Sequence, residues 1–171
     1  MKNQTRVFHG TPDYCRIVDW LYDEAYLLDH GRLQDWLELM APEIDYRMPV
    51  RRAVVPKQGS GFDEESAFFA DNLSSLKTKV ERLSTDQAWS DQPVSLTRHM
   101  ISNILVEKAE GGFAVTSAFL ITRVRADSPY DFFSGERHDL LKSVVDGLKL
   151  AKRTIFLDQT VLKSHNLSFF F

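Results

Sequence analysis

The chain has 171 residues, of which 43% are hydrophobic and 26% charged, and its formal net charge is −3. That length suits one domain with a single substantial core. A mildly acidic balance with no Lys/Arg run gives no electrostatic case for nucleic acid or for a membrane surface. No apolar run approaches the roughly 20 residues that span a bilayer, and the first residues lack the apolar core of a secretory signal. The lone Cys15 has no partner for an internal disulfide, so the expectation is a cytoplasmic protein.

Thr11-Pro12-Asp13 predicts a helix start: a capping hydroxyl, Pro at the first helical position and an acid at the positive dipole end. Tyr14, Ile17, Val18, Leu21, Tyr22, Ala25 and Leu28 then form one apolar face. Asp13, Asp19, Asp23, Glu24 and Asp29 are expected mostly on the other side, and Gly31 stops the helix. Cys15 on such a helix is expected to be buried and inert. A shorter helix carries Leu33, Trp36, Leu37 and Met40 and ends before Pro42. Ile44 to Val50 reads as a short strand, with Ile44, Tyr46 and Met48 on one face and Asp45 and Arg47 on the other. Pro49 predicts a strand at an edge, or one that finishes there. Arg51 to Gly61 reads as a loop, and Asp63 to Leu83 as a helix with Leu73, Leu76 and Val80 on one stripe. Ser84 to Pro93 is a connection carrying Trp89.

Beyond that point the hydrophobic period changes to two. Leu96–Glu107, Phe113–Arg125, Phe132–Val145 and Leu148–Leu157 are four successive strand candidates, joined at Gly111-Gly112, Ser128-Pro129 and Asp146-Gly147. Asp-Gly suits the positive backbone angles of a tight hairpin turn. The expected fold is α+β, with N-terminal helices on one face of a curved, cone-like antiparallel sheet. We expect a single domain over 1–171: an N-terminal arm at 1–10, a mainly helical part with one short strand at 11–83, and the sheet with a C-terminal tail at 96–171. The tail, Phe169-Phe170-Phe171, carries aromatic surface that gains nothing in water, so burial is expected.

Few residues recommend themselves for chemistry. The histidines, His9, His30, His99, His138 and His165, share no helical metal-ligand spacing. A site built from separate strands, such as His99 with His138 and Asp139, stays open beside the plainer reading of hydrogen-bonded strand residues. There is no Gly-x-Ser-x-Gly elbow, no phosphate-cradling turn between strand and helix, and no Cys/His set for a Rieske centre. A cone of this kind can house cofactor-free acid–base chemistry, for which Asp45, Tyr46, Arg98, His99 and Asp139 are the candidates. Alternation turns one of Arg98 and His99 inward and the other outward.

Several stretches resemble the small (β) subunit of the aromatic-ring-hydroxylating dioxygenases. They are Glu24-Ala-Tyr-Leu-Leu-Asp29, Trp36-Leu37, Ile44-Asp-Tyr-Arg-Met-Pro-Val-Arg51, Glu81-Arg-Leu-Ser-Thr-Asp-Gln-Ala-Trp89, Pro93-Val-Ser-Leu-Thr-Arg-His-Met-Ile-Ser-Asn103, Gly135-Glu-Arg-His-Asp139, and Arg153-Thr-Ile-Phe-Leu-Asp158 with Asn166-Leu-Ser-Phe-Phe170. They run in the family's order over most of the chain. Leu148-Lys149-Leu150 departs from it, where a bulky aromatic is expected.

The resemblance implies a fold like nuclear transport factor 2 and the SnoaL-type proteins. It also implies a non-catalytic, structural subunit in a hexamer of three α and three β chains, with β–β contacts. In such enzymes the α subunit holds a Rieske 2Fe-2S cluster and a mononuclear non-haem iron. NADH electrons arrive through a ferredoxin and a reductase, and O₂ is added to an aromatic ring as a cis-dihydrodiol. For this chain the expectation is therefore no catalytic, cofactor-binding or metal residue, and no nucleic-acid or membrane partner. Trp89, Arg98 and Phe169–Phe171 are the expected subunit contacts, the three phenylalanines packing in the core or at a subunit boundary, and removal of residues 167–171 is expected to lower assembly. The alternative is a free-standing isomerase or dehydratase using Asp45, Tyr46 and His99.

Overall fold

Helix α1 (Pro12–Asp29) begins where the capping signal stands: the Thr11 hydroxyl accepts from the Tyr14 amide at 3.4 Å. Gly31, at φ +66°, turns the chain out of the helix. The buried stripe is Ile17, Trp20, Leu21, Glu24 and Leu28, which corrects the expected face. Trp20 and Glu24 point inward, Tyr22 is 54% exposed, and Cys15 is exposed rather than buried. Positions 17, 20/21, 24 and 28 lie on successive turns, so an acid took a place in the apolar row. A short α2 (Leu33–Glu38) follows and buries Trp36 and Leu37.

The computed structural model describes residues 5–52, 61–84, 95–126, 128–160 and 169–171; the predicted loop over Arg51–Gly61 and the Ser84–Pro93 connection with Trp89 lie largely outside them. Strands are β1 (Arg6–Val7), β2 (Met40–Arg51), β3 (Phe62–Asp71), β4 (Leu96–Ala109), β5 (Gly112–Val124), β6 (Asp131–Val144) and β7 (Gly147–Leu157). The last four agree closely with the period-two reading. Two expectations for the 11–83 part fail. It holds two strands, not one, and the helix predicted from Asp63 is the strand β3 followed by α3 (Leu73–Ser84). Ser66 to Asp71 alternates in exposure, and β2 offers it a ladder, so sheet pairing overrides local helical pattern. The helix starts only at Asn72, whose side chain accepts from the Ser75 amide while the Ser75 hydroxyl accepts from the Asn72 amide, each at 3.0 Å.

The strands form one sheet in the order β1-β4-β5-β6-β7-β2-β3. All neighbours are antiparallel except β7 and β2, which run parallel, so the sheet is a meander with two crossovers, placing β1 beside β4 and β7 beside β2, rather than antiparallel throughout. β2 is consequently interior. Pro49, expected at an edge or a strand end, sits instead at a register shift against β3, where its missing N–H interrupts the ladder least.

The helices cover one face, and the register places the chemistry there. Val106, Val115, Asp139, Arg153, Tyr46 and Asp71 are successive cross-strand partners from β4 to β3. They form one row across the sheet, and α1 lies over the inner face with Glu24 pointing into it.

Candidate functional site

The centre of that row is an ion cluster. Arg153 on β7, 0% exposed, donates Nε and Nη2 to the two oxygens of Asp139 on β6, each at 2.8 Å. Its Nη1 and Nη2 also reach the two oxygens of Glu24, at 2.7 and 2.8 Å. Trp36 donates to Glu24 at 3.2 Å, and Arg137 contributes Nη1 to Glu24 at 3.5 Å. Burial alone would raise the Glu24 carboxyl, but Arg153 and then Arg137 hold it below its usual 4.5. Burial lowers Arg153, yet Asp139 and Glu24 more than reverse that and raise it well above its ordinary value. Arg137 is pulled down by burial and by Arg153. One carboxylate on a helix and one on a strand thus share a guanidinium, which fixes α1 against β6 and β7.

The remaining donors of the cluster hold the tail. Phe171 is 0% exposed, and its carbonyl oxygen accepts from Arg153 Nη1 at 2.8 Å and from the Tyr46 hydroxyl at 2.7 Å. Its amide in turn donates to the Tyr46 hydroxyl at 2.9 Å. Burial pushes the Tyr46 phenol up to about 12, so it remains a donor across ordinary pH. The Phe171 ring packs with Phe169 at 4.7 Å and with Phe119 and Phe133, both at 5.9 Å. Gly135 leaves room for both the backbone of β7 and this packing, because a Cβ there would collide with the Phe156 carbonyl oxygen and lie 2.9 Å from the tip of the Phe119 ring. Phe170 stacks on Trp36 at 4.3 Å. A space of only about 40 Å³ remains between the tail, Tyr46, Phe69 and the later turns of α3 at Lys79, Arg82 and Leu83, far below the roughly 300 Å³ of a small-molecule pocket.

A second buried group pins Phe170. The His99 side chain is 1% exposed, with Nδ1 2.5 Å from Asp29 Oδ1 and Nε2 3.0 Å from the Phe170 carbonyl. Asp29 also accepts from the His99 amide at 3.0 Å and from Thr97 at 3.2 Å. Burial would raise the Asp29 carboxyl, and the bonds from His99 outweigh this and lower it. The last residue of α1, strand β4 and the tail therefore meet at one imidazole.

The sequence candidates do not converge. Tyr46 and Asp139 belong to the ion cluster. His99 faces inward and Arg98 outward with 67% exposure, as alternation required. Asp45 stands on the outer face, 55% exposed, 3.7 Å from Lys152. His138 is likewise outside, 2.6 Å from Glu136, so His99, His138 and Asp139 cannot share a metal. Among the described residues no group of three His, Cys, Asp or Glu side chains is placed to hold one. Sequence reasoning missed Glu24, Arg137 and Arg153 as a unit. The available signal was parity: Arg137 and Asp139 fall in step with inward Phe133, and Arg153 with inward Ile155 and Leu157. Phe170 and Phe171 are core residues, 6 and 0% exposed, so of the two places expected for the tail it takes the core. Leu148 and Leu150 are both buried, so the departure there keeps an apolar inner face.

The outer face of the sheet differs in kind. Leu96, Met100, Leu120, Tyr130 and Phe132 are 67, 47, 38, 61 and 59% exposed. Met100 faces Leu120 across β4 and β5, and the rings of Tyr130 and Phe132 lie 6.3 Å apart. Such clustered apolar exposure marks a contact surface.

Residues 23–164 match the family described as the ring hydroxylating beta subunit. The chain is 38% identical over 162 residues to the biphenyl 2,3-dioxygenase subunit beta of Rhodococcus jostii (strain RHA1), covering 91% of this chain and 87% of that one. It is 36% identical over 163 residues to a benzene 1,2-dioxygenase subunit beta of Pseudomonas putida, with 91% and 87% covered. Its fold matches a chain of naphthalene 1,2-dioxygenase, solved with indole in the active site, at a TM-score of 0.81 and 24% identity. That match covers 96% of this chain and 90% of the other. No described helix is long and apolar enough to cross a membrane.

Proposed function

The chain belongs to the family of ring-hydroxylating dioxygenase beta subunits, and from that premise we propose that it is the structural, non-catalytic small subunit of a cytoplasmic oxygenase acting on an aromatic hydrocarbon. Its partner is an α subunit, in a hexamer of three α and three β chains. The names of its relatives, which act on biphenyl and benzene, support an aromatic hydrocarbon as substrate. A Rieske cluster and a mononuclear iron in the α subunit, fed from NADH through a ferredoxin and a reductase, supply the oxygen chemistry that yields a cis-dihydrodiol. The described residues of this chain do not fit either metal group, since His99, His138 and Asp139 are committed to Asp29, Glu136 and Arg153 respectively.

One observation carries the reading: the interior that would be a reaction chamber is closed by the chain's own tail. Tyr46 and Arg153 bind Phe171, His99 binds Phe170, and Asp45 lies on the opposite face from Tyr46. The isomerase or dehydratase alternative using Asp45, Tyr46 and His99 is therefore not favoured, because its acid and base neither meet nor face a cavity. What this subunit offers instead is a rigid body with an apolar outer face.

The test is reconstitution. The chain produced alone should fold and carry no iron and no turnover of an aromatic hydrocarbon. Co-production with its α subunit should give a complex in which both chains copurify and substrate is dihydroxylated. Turnover by this chain alone, or stoichiometric iron in it, would overturn the proposal.

A further inference from the structure

The inner face of the sheet is built as a receptor for one chemical group, and Phe171 is the occupant. What Arg153, Tyr46 and the rings around Phe171 recognise is a phenyl ring joined through two carbons to a carbonyl oxygen. The oxygen is met by two donors, a guanidinium that is 0% exposed and a phenol that is 1% exposed. The ring is met by Phe69, Phe119, Phe133 and Phe169. These contacts are the elements of a specific small-molecule site: a predominantly apolar wall with a few fixed polar groups.

An independent feature points the same way. Arg137 is 1% exposed, and its Nε and Nη2 have no hydrogen-bond partner. Those two atoms form the edge of a guanidinium that grips an oxyanion in two-point fashion, the same edge by which Arg153 holds Asp139. Directly across on β5 stands Ser117, 0% exposed, whose hydroxyl is also without a partner. Unpaired buried donors are costly, and these lie on the inner face about 7 Å along β6 from Asp139, two residues away. The interior thus holds more donors than the tail uses.

We propose that the interior is a latent binding site for 3-phenylpropanoyl compounds, the free acid or its amide, with Phe171 as the resident ligand. When the Phe171 group is absent, Arg153 and Tyr46 take the ligand's carbonyl oxygen, and the phenylalanine cage takes its ring. For the acid, the free edge of Arg137 supplies the additional positive charge. The proposal concerns this chain alone and is independent of any partner subunit, so reconstitution with an α subunit can succeed or fail without bearing on it.

Two variants test it. In a variant truncated after Phe170 both the ring compartment and the two donors are vacated. 3-Phenylpropionate or 3-phenylpropionamide, at roughly 10 to 100 times its Kd, should raise the melting temperature by about 3–10 °C, whereas ethylbenzene or propionate should do so far less. In Phe171→Ala the backbone oxygen still occupies Arg153 and Tyr46, so only the ring compartment opens, as in engineered apolar cavities that bind benzene. Ethylbenzene should then stabilise the protein, and the acid and amide should not. Equal responses to ethylbenzene and the phenylpropanoyl probes in either variant would reduce the site to a greasy void and overturn the proposal. Absence of any response in both would overturn it too. Should the truncated variant fail to fold unaided, refolding it with 3-phenylpropionamide present decides: recovery with the amide and not with ethylbenzene supports the site, and equal recovery or none overturns it.

Discussion

The two faces of the sheet carry charge and aromatic side chains in opposite ways. On the inner face Glu24, Asp139, Arg137 and Arg153 are almost wholly buried and bonded to one another, and Tyr46, Phe170 and Phe171 close over them. On the outer face Asp45 and Lys152, or Glu136 and His138, form pairs that are half in water, and the large apolar side chains stand open. A buried pair stabilises only while every member is present, because removing one leaves another charge in a medium that cannot solvate it. An exposed pair contributes little in either case. The inner face therefore holds the subunit together, whereas the outer face is free to be a surface for other chains.

The sharpest way to break the inner face is Arg153→Leu. Glu24 and Asp139 would be left as buried carboxylates without their main partner, at a loss of about 3–5 kcal/mol, a large share of the roughly 5–15 kcal/mol that holds a domain folded. We expect most of the chain to be lost as aggregate, and a melting temperature lowered by roughly 10 °C or more in what survives. Glu24→Gln probes the same cluster through pH. The native Glu24 carboxyl is held below its usual 4.5, so the unfolded chain binds the proton more readily. Its contribution is complete above about pH 4.5 and is lost as the pH falls through the lower native value. Acid unfolding followed by circular dichroism should be shallower in Glu24→Gln. An unchanged acid slope would mean that Glu24 is not ionised in the fold.

How much of this was legible in the sequence depends on whether a residue's neighbours are local. The four long strands, the caps at Thr11 and Gly31 and the inward parity of His99 all follow from patterns within a few residues. Strand β3 was misread because its partner is β2, and the acid-rich stretch Asp63-Glu64-Glu65 masks the alternation that follows. Glu24 was placed on the wet side because an acid is normally solvated; its partners Arg137 and Arg153 are more than a hundred residues away. The tail's burial was expected from aromatic surface alone, but its address was not, since that depends on the parallel pairing of β2 with β7, which puts Tyr46 beside Arg153. The family resemblance supplied the role of the subunit without supplying this interior.

A milder break is Tyr46→Phe. It keeps the ring and removes the hydroxyl that both accepts from the Phe171 amide and donates to its carbonyl. One buried N–H is left without an acceptor, so we expect a loss of about 1–3 kcal/mol, read as a lower urea midpoint with an unchanged slope. The alkaline limb adds a second readout. The Tyr46 phenol titrates at about 12 in the fold against an ordinary 10.0, so its contribution is present below pH 10 and lost as the pH climbs towards 12. Tyr46→Phe should lack that part of the alkaline destabilisation. If the variant and the parent fell together above pH 10, the hydroxyl would not be the clasp of the tail.

The smallest expected effect on the fold comes from the outer face, and it separates the two faces most cleanly. Met100, Leu120 and Phe132 are 47, 38 and 59% exposed, so changing each to Ser removes little buried apolar area and leaves no buried group unpaired. Surface changes of this kind usually stay within about 0.5 kcal/mol, and the triple variant, produced alone, should melt close to the parent. Its behaviour with an α subunit should differ. Permanent subunit interfaces have apolar, aromatic-rich centres and often bury more than about 2,000 Å² in total, and three serines in such a centre would strand hydroxyls away from water. Copurification and the peak of the complex on size exclusion should fall, even though each chain remains folded. Arg98→Ala, beside the same patch and 67% exposed, should weaken assembly less, since a charge at a rim acts chiefly on association rate. A triple variant that melted normally and assembled at full yield would place the contact surface elsewhere on the subunit and leave the outer apolar face without a role. One that failed to fold alone would show that this face, too, is part of what holds the subunit together.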